Sequence, residues 1–198
     1  MSAVTLGTMD RREAVRTLLE NRGDLLVVTG LGSPSYDAFA AGEHAGNFYL
    51  WGAMGGAAMV ALGLALAQPK RPVLALTGDG EAMMGVGALA TIGVARPGNL
   101  TIAVLDNGHF GETGMQRSHS GLGVRMEAIA EASGIADAAV ISDIAGVAAY
   151  RPKLQDLSAG PRFVRLRIAP GNPERALPPR DGVFVKNRFR QNLGFAVA

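Results

Sequence analysis

The 198 residues carry a net charge of +2, with 48% apolar and only 18% charged residues, enough to bury a sheet under covering helices. Lys and Arg are scattered and no basic stripe is interleaved with aromatics, which argues against nucleic acid as a partner. With no cysteine there can be no disulfide framework, thiolate zinc site or iron–sulfur ligation by this chain. Residues 1–10 lack a charged-then-apolar leader, and the apolar stretch 53–67 is too short and too glycine-rich for a membrane span. These features lead to the expectation of a soluble cytoplasmic protein.

In chain order, the periodicity predicts a helix over 9–20, with Asp10 placed to cap it and Ala14, Leu18 and Leu19 facing inward. A buried strand follows over 24–29, then a short helix over 35–41 and a short strand over 47–50. A small-residue helix over 55–68 is stopped by Pro69, and a strand over 72–77 runs into Gly78-Asp79-Gly80. A second small-residue helix is expected over 82–95, then a strand over 100–105 leading into Asp106-Asn107-Gly108. Further on come a helix over 125–133, a strand over 138–141, a helix from Ile144 capped by Asp143, and an alternating strand over 163–168. A proline-rich tail ends in a short basic helix over 183–193.

This βαβ alternation with apolar strands predicts an α/β fold with a doubly wound, mostly parallel sheet, as one domain across 1–198. Ligands in such sheets bind at the carboxyl ends of strands, where three glycine-rich turns fall: Gly30-Leu31-Gly32-Ser33, Gly78-Asp79-Gly80 and Asp106-Asn107-Gly108. Asp79 and Asn107 are expected at adjacent strand ends. A carboxylate and an amide oxygen there suit magnesium, whose remaining positions two diphosphate oxygens would fill. The N–H groups of Gly80 and Glu81, opening the next helix, would add an anion site.

Gly78-Asp79-Gly80 followed by Asp106-Asn107 resembles the signature of thiamine diphosphate (TPP)-dependent enzymes. That resemblance implies a diphosphate-binding (PP) domain in which Asp79 and Asn107 give side-chain ligands to Mg2+ and the His109 carbonyl gives a third. Tyr49-Leu50-Trp51-Gly52-Ala53-Met54-Gly55 is similar to the segment under the cofactor in that family. It implies that Met54 props TPP in its bent form and that the Gly52 carbonyl accepts from the aminopyrimidine. Cofactor contacts are further expected from Gly30, Gly32, Ser33, Gly78, Gly80, Glu81, Phe110 and Gly111.

Within the superfamily, Asn47-Phe48-Tyr49, residues 63–67, Leu89-Ala90-Thr91-Ile92 and residues 105–108 leading to Glu112-Thr113-Gly114 resemble the sulfopyruvate decarboxylase β subunit. They also resemble the matching half of phosphonopyruvate decarboxylase, the alternative to a leading reading of sulfopyruvate going to sulfoacetaldehyde. The likeness implies decarboxylation of a small anionic 2-oxoacid, a 3-substituted pyruvate, to an aldehyde and carbon dioxide.

In this superfamily the glutamate that activates the aminopyrimidine lies on a separate pyrimidine-binding domain, for which this chain has no room. A partner α subunit is therefore expected, with active sites at the interface of a hetero-oligomer and this chain as a complete β subunit. The small-residue helices are candidates for that interface or for packing on their own sheet. Arg117 and His119 are candidates for binding the substrate's second anion, Glu112 for proton transfer, and the His109 imidazole for facing substrate. His44 is placed at the surface, and Lys186, Arg188 and Arg190 on a solvated helix face or a subunit contact.

Competing readings are a phosphonopyruvate decarboxylase subunit, the β subunit of a TPP-dependent oxidoreductase, and a non-catalytic TPP-binding subunit. The intact Asp79/Asn107 pair argues against the last. A generic nucleotide binder is weaker, because no Gly-x-Gly-x-x-Gly opens a helix after the first strand.

Overall fold

The computed structural model of the chain describes residues 5–197; Met1–Val4 and Ala198 lie outside the described residues. Asp10 accepts from Glu13 N at 2.8 Å and so opens α1 (Arg11–Leu19), which leads to β1 (Leu26–Thr29). Next come α2 (Ser33–Ala40), with Pro34 in its first turn, β2 (Asn47–Tyr49) and α3 (Ala57–Ala67). β3 (Val73–Gly78) runs directly into α4 (Asp79–Met84), followed by α5 (Gly87–Ala95) and β4 (Leu100–Asp106). A small antiparallel ladder pairs β5 (His109–Phe110) with β6 (Gln116–Arg117). The chain continues through α6 (Met126–Ala132), β7 (Asp137–Ile141), α7 (Ile144–Tyr150), β8 (Arg162–Arg167) and α8 (Gly182–Asn192). Asp143 caps α7 by accepting from Gly146 N at 2.7 Å.

The main sheet has six strands in the order β2-β1-β3-β4-β8-β7, and every neighbouring pair is parallel. Side chains alternate across it, so each face carries its own core. Val15 and Leu18 of α1, Ala38 of α2 and Val147 of α7 meet Val27, Leu76 and Leu105 on one face. Ala61 of α3, Ile92 of α5, Met126 of α6 and Phe189 of α8 meet Val28, Ile102 and Phe163 on the other. The sheet is doubly wound, as expected. Among the described residues no helix is long and apolar enough to cross a membrane.

Two expectations are corrected. The helix predicted over 82–95 is two helices, α4 and α5, separated at Gly85 and Val86. The break lies where Gly85 meets the Gly55 turn: a Cβ on Gly85 would come within 2.1 Å of Gly55 O. The helix predicted from Gly55 begins at Ala57, because Gly55 has φ +88°. β8 alternates as expected from Val164 to Ile168, with Arg165 and Arg167 half-buried between buried neighbours, but Arg162, just before that stretch, is 1% exposed with Asp156 as its ion-pair partner at 2.9 Å.

Arg188 is likewise not on a solvated face. Its guanidinium donates to Glu43 at 2.5 Å and to Asn47 O at 2.6 Å, tying α8 to the β2 edge. His44 is half-buried, and its Nδ1 accepts from Gly46 N at 3.0 Å.

Candidate active site at the carboxyl ends of β1, β3 and β4

The parallel register sets Gly78 of β3 beside Leu105 of β4 and Thr29 of β1 beside Leu76. The three glycine-rich turns therefore emerge side by side, and an open cleft of about 680 Å³ lies over them. Asp79, Asn107, Ser33, Met54, His109 and Glu112 all line it. In the sequence these residues belong to separate motifs; the fold gathers them at one place.

Asp79 is the first residue of α4 and is 3% exposed. Burial is the largest effect on its carboxyl and pushes its pKa up to about 6; the hydroxyls of Ser118 and Ser120 work against this, and the Asp106 charge adds to it. Asn107, 7% exposed, accepts from His109 N at 2.9 Å through Oδ1 in a tight local turn. His109 Nδ1 lies 2.8 Å from Asn107 O, so the imidazole is fixed by the same turn. Gly80 is required by close approach: a Cβ there would meet the Phe110 ring at 2.6 Å. Gly111 is similarly confined, by Asn172.

Met54 lines the same cleft from the turn over residues 52–55. Gly52 (φ +142°), Ala53 (φ +51°) and Gly55 (φ +88°) all have positive φ, and this turn holds Met54 at the cleft, 45% exposed. A left-handed alanine is a strained residue, and the strain sits next to the side chain expected to support the cofactor. Gly32, with φ +76°, precedes α2 and delivers Ser33, whose Oγ lies 3.3 Å from Glu112 Oε1.

The anion site expected here involves the backbone N–H of Glu81; its side chain turns into the fold, 4% exposed, and accepts from Thr77 Oγ1 at 2.9 Å. Gly30 must lack a Cβ, since one would sit 1.6 Å from Glu81 Oε2. Burial raises the Glu81 pKa, against the opposing pull of the Thr77 hydroxyl and the N–H groups of Gly55, Ala57 and Leu31. Its Oε1 completes no hydrogen bond of ordinary geometry. Glu81 thus ties the end of β3 to the Gly30 turn, and a more enclosed, mostly apolar cavity lies on its far side, lined by neither Asp79 nor Asn107.

Arg117 and His119, expected to bind substrate, do not line the cleft. Arg117 donates to Gly121 O at 2.9 Å, and His119 stands edge-on to the Phe110 ring at 6.2 Å. The cation that does line the cleft is Arg11, 6% exposed and paired with Asp37 at 2.7 Å. Glu112 is held by Arg175 of the C-terminal segment at 2.9 Å. Beyond their charge, nothing in the sequence marks Arg11 or Arg175.

Among the described residues no three His, Cys, Asp or Glu side chains gather as a metal site. The donors set beside each other at the strand ends are the Asp79 carboxylate, the Asn107 amide oxygen and main-chain groups. That hard-oxygen set fits a magnesium ion that takes its remaining ligands from phosphate and water. The glycine cradle and the exposed Met54 fit a cofactor of TPP shape.

Thiamine pyrophosphate enzyme, C-terminal TPP binding domain, is the family that matches residues 34–166. The chain belongs to this family. Among curated proteins it is similar to the sulfopyruvate decarboxylase of Methanosarcina acetivorans, 33% identical over 96% of this chain and 50% of that protein. It thus spans about half the length of that relative. It is also similar to the sulfopyruvate decarboxylase subunit beta of Methanothermobacter thermautotrophicus, 32% identical over 91% of this chain and 94% of that subunit. The phosphonopyruvate decarboxylase of Streptomyces viridochromogenes is 39% identical over 88% of this chain and 44% of that enzyme. In fold, this TPP-binding domain resembles the 4-hydroxybenzoylformate decarboxylase of Rhodococcus jostii, with a TM-score of 0.64 at 23% identity over 85% of this chain and 34% of that one.

Proposed function

We propose that this chain, as one diphosphate-binding domain, is the β subunit of a TPP- and Mg2+-dependent decarboxylase acting on a 3-substituted pyruvate, in the first instance sulfopyruvate. The observation that carries the reading is the likeness, at 32% identity, to a protein named sulfopyruvate decarboxylase subunit beta. A relative named as a subunit supports a partner α subunit supplying the pyrimidine-binding half.

An apolar surface supports the same partner. Met59 and Leu66 on α3, Met84 ending α4 and Val94 on α5 are exposed, the last at 86%.

Asp79, Asn107 and the His109 carbonyl would hold the metal, and Ser33, Gly80 and Gly111 would border the diphosphate. Bound there, TPP supplies the electron sink that lets a 2-oxoacid lose carbon dioxide. Met54 supports the cofactor's bend from its strained turn, and Trp51 is fixed beside it by donating to Pro179 O at 2.8 Å. Arg11, with its guanidinium held by Asp37, contributes positive potential to a cleft that must take up anions. Phosphonopyruvate is the second reading, favoured by the 39% identity to the Streptomyces enzyme.

The test is aldehyde and carbon dioxide release from both acids, with TPP and Mg2+, using this chain alone and co-expressed with a candidate α chain. Activity only in the co-expressed sample, with sulfopyruvate preferred, is expected. Full activity from this chain alone would overturn the split active site, and a phosphonopyruvate preference would move the substrate.

A further inference from the structure

We propose that Ser118 and Ser120 form a clamp on Asp79 that determines which divalent cation the cleft accepts. The inference rests on the reading of Asp79 as a metal ligand. Both serines are 1% exposed, although they follow an exposed stretch of loop. Ser118 Oγ donates to Asp79 Oδ2, and Ser120 Oγ lies 3.0 Å from the same oxygen. Ser120 Oγ is also 2.6 Å from Asp106 Oδ1, and a hydroxyl has one proton to give. The shorter contact takes it, so Ser118 is the principal donor to Asp79 and Ser120 the spacer between the two carboxylates.

The clamp is anchored on both sides. Ser118 N donates to Gly108 O at 3.0 Å, which ties it to the turn bearing Asn107. Behind Ser120, Asp106 is held by Arg165 Nε, and Arg165 Nη1 lies 3.2 Å from Glu127 Oε2. Arg125 Nε closes the chain at 3.1 Å from Glu127 Oε1. Asp106 therefore cannot swing away, and Ser120 keeps its place.

Every one of these contacts on Asp79 falls on Oδ2. Among the described residues no side chain hydrogen-bonds Oδ1, and Asp79 borders the cleft. The geometry points to ligation through Oδ1 alone. Magnesium takes about six oxygens in a near-ideal octahedron at about 2.0–2.1 Å, whereas calcium takes about six to eight at longer range and accepts both oxygens of a carboxylate. A carboxylate restricted to one oxygen favours magnesium. Release of Oδ2 removes that restriction and opens the site to calcium.

The test titrates the full chain with Mg2+ and with Ca2+ in the presence of TPP, following the fluorescence of the single tryptophan, Trp51. The wild type is expected to prefer Mg2+. The Ser118→Ala/Ser120→Ala double variant is expected to shift the ratio of the two Kd values toward Ca2+ by about tenfold, with Ser118→Ala alone giving most of the shift. Serines that merely stabilise the loop would weaken both ions together, so an unmoved ratio overturns the inference. Should the double variant fail to fold, Ser118→Cys, close in volume but a poor donor, takes the same titration: a ratio moved toward Ca2+ supports the clamp, and an unmoved one overturns it. A wild type that binds neither ion would overturn the metal reading itself, which separates that failure from failure of the clamp.

Discussion

Asp79 shows how one residue couples stability to function. Burial, above all, pushes its carboxyl pKa up from the ordinary 3.8 to about 6. Between those values the folded state binds more protons than the unfolded one, so ionised Asp79 lowers stability as pH rises through that window. Metal-free Asp79→Asn is therefore expected to melt above the wild type at pH 7.5, with the gap opening from about pH 4 and complete above about pH 6. The same variant should lose Mg2+-dependent TPP binding. Differential scanning fluorimetry in EDTA across pH checks the first, and a gap that does not vary with pH would contradict it. At Met54, replacement by Leu should retain activity of the reconstituted enzyme while Ala lowers kcat by about tenfold or more, because only the larger side chain supports the bent cofactor. Asp79, Asn107 and Met54 are legible in the sequence because each belongs to a short local motif. Ser118, Ser120 and Arg165 are not, since their partners are distant in the chain and lone serines in a polar loop carry no signal. Arg117 and His119 mislead for the converse reason: loop polarity does not reveal which way a side chain points.

At the level of elements, the helix caps and buried strands are readable because their causes are local. Asp10 and Asp143 accept from backbone N–H groups within their own first turns, as their positions imply. Asp10→Ala should cost about 1 kcal/mol in chemical denaturation, the usual worth of such a cap. The break between α4 and α5 has a distant cause: it answers to the backbone of Gly55, which only the folded chain brings near. Gly85→Ala places a Cβ 2.1 Å from Gly55 O and should destabilise by about 1–3 kcal/mol while also weakening TPP binding, because Gly55 bounds the Met54 turn. A loss of stability with unchanged TPP affinity would contradict that coupling. Along β8 the alternation read from the sequence is kept from Val164 to Ile168, and what the sequence does not reveal is the pairing: Arg165 is neutralised by the buried carboxylates of Asp106 and Glu127, and the buried Arg162 by the exposed Asp156.

For the whole molecule, the parallel sheet follows from the order of elements, yet the course of the C-terminal segment does not. Residues after β8 cross the mouth of the cleft: Asn172 donates to Gly111 O at 3.0 Å, Arg175 pairs with Glu112, and Pro179 O accepts from Trp51. Proline-rich composition signals an extended path but not its destination. The exposed apolar helices α3, α4 and α5 set the remaining expectation. Val94→Asp with Met84→Lys should leave the melting temperature of this chain within about 2 °C and abolish co-purification of an α partner. Retention of the partner would move the interface elsewhere. The proposed chemistry depends on the cleft over β1, β3 and β4 being a magnesium-dependent TPP site. Calorimetric titration of TPP into the chain with Mg2+, with EDTA, and into Asp79→Ala tests this most directly. Saturable binding that EDTA and Asp79→Ala each abolish is the predicted result; TPP binding indifferent to both would contradict it.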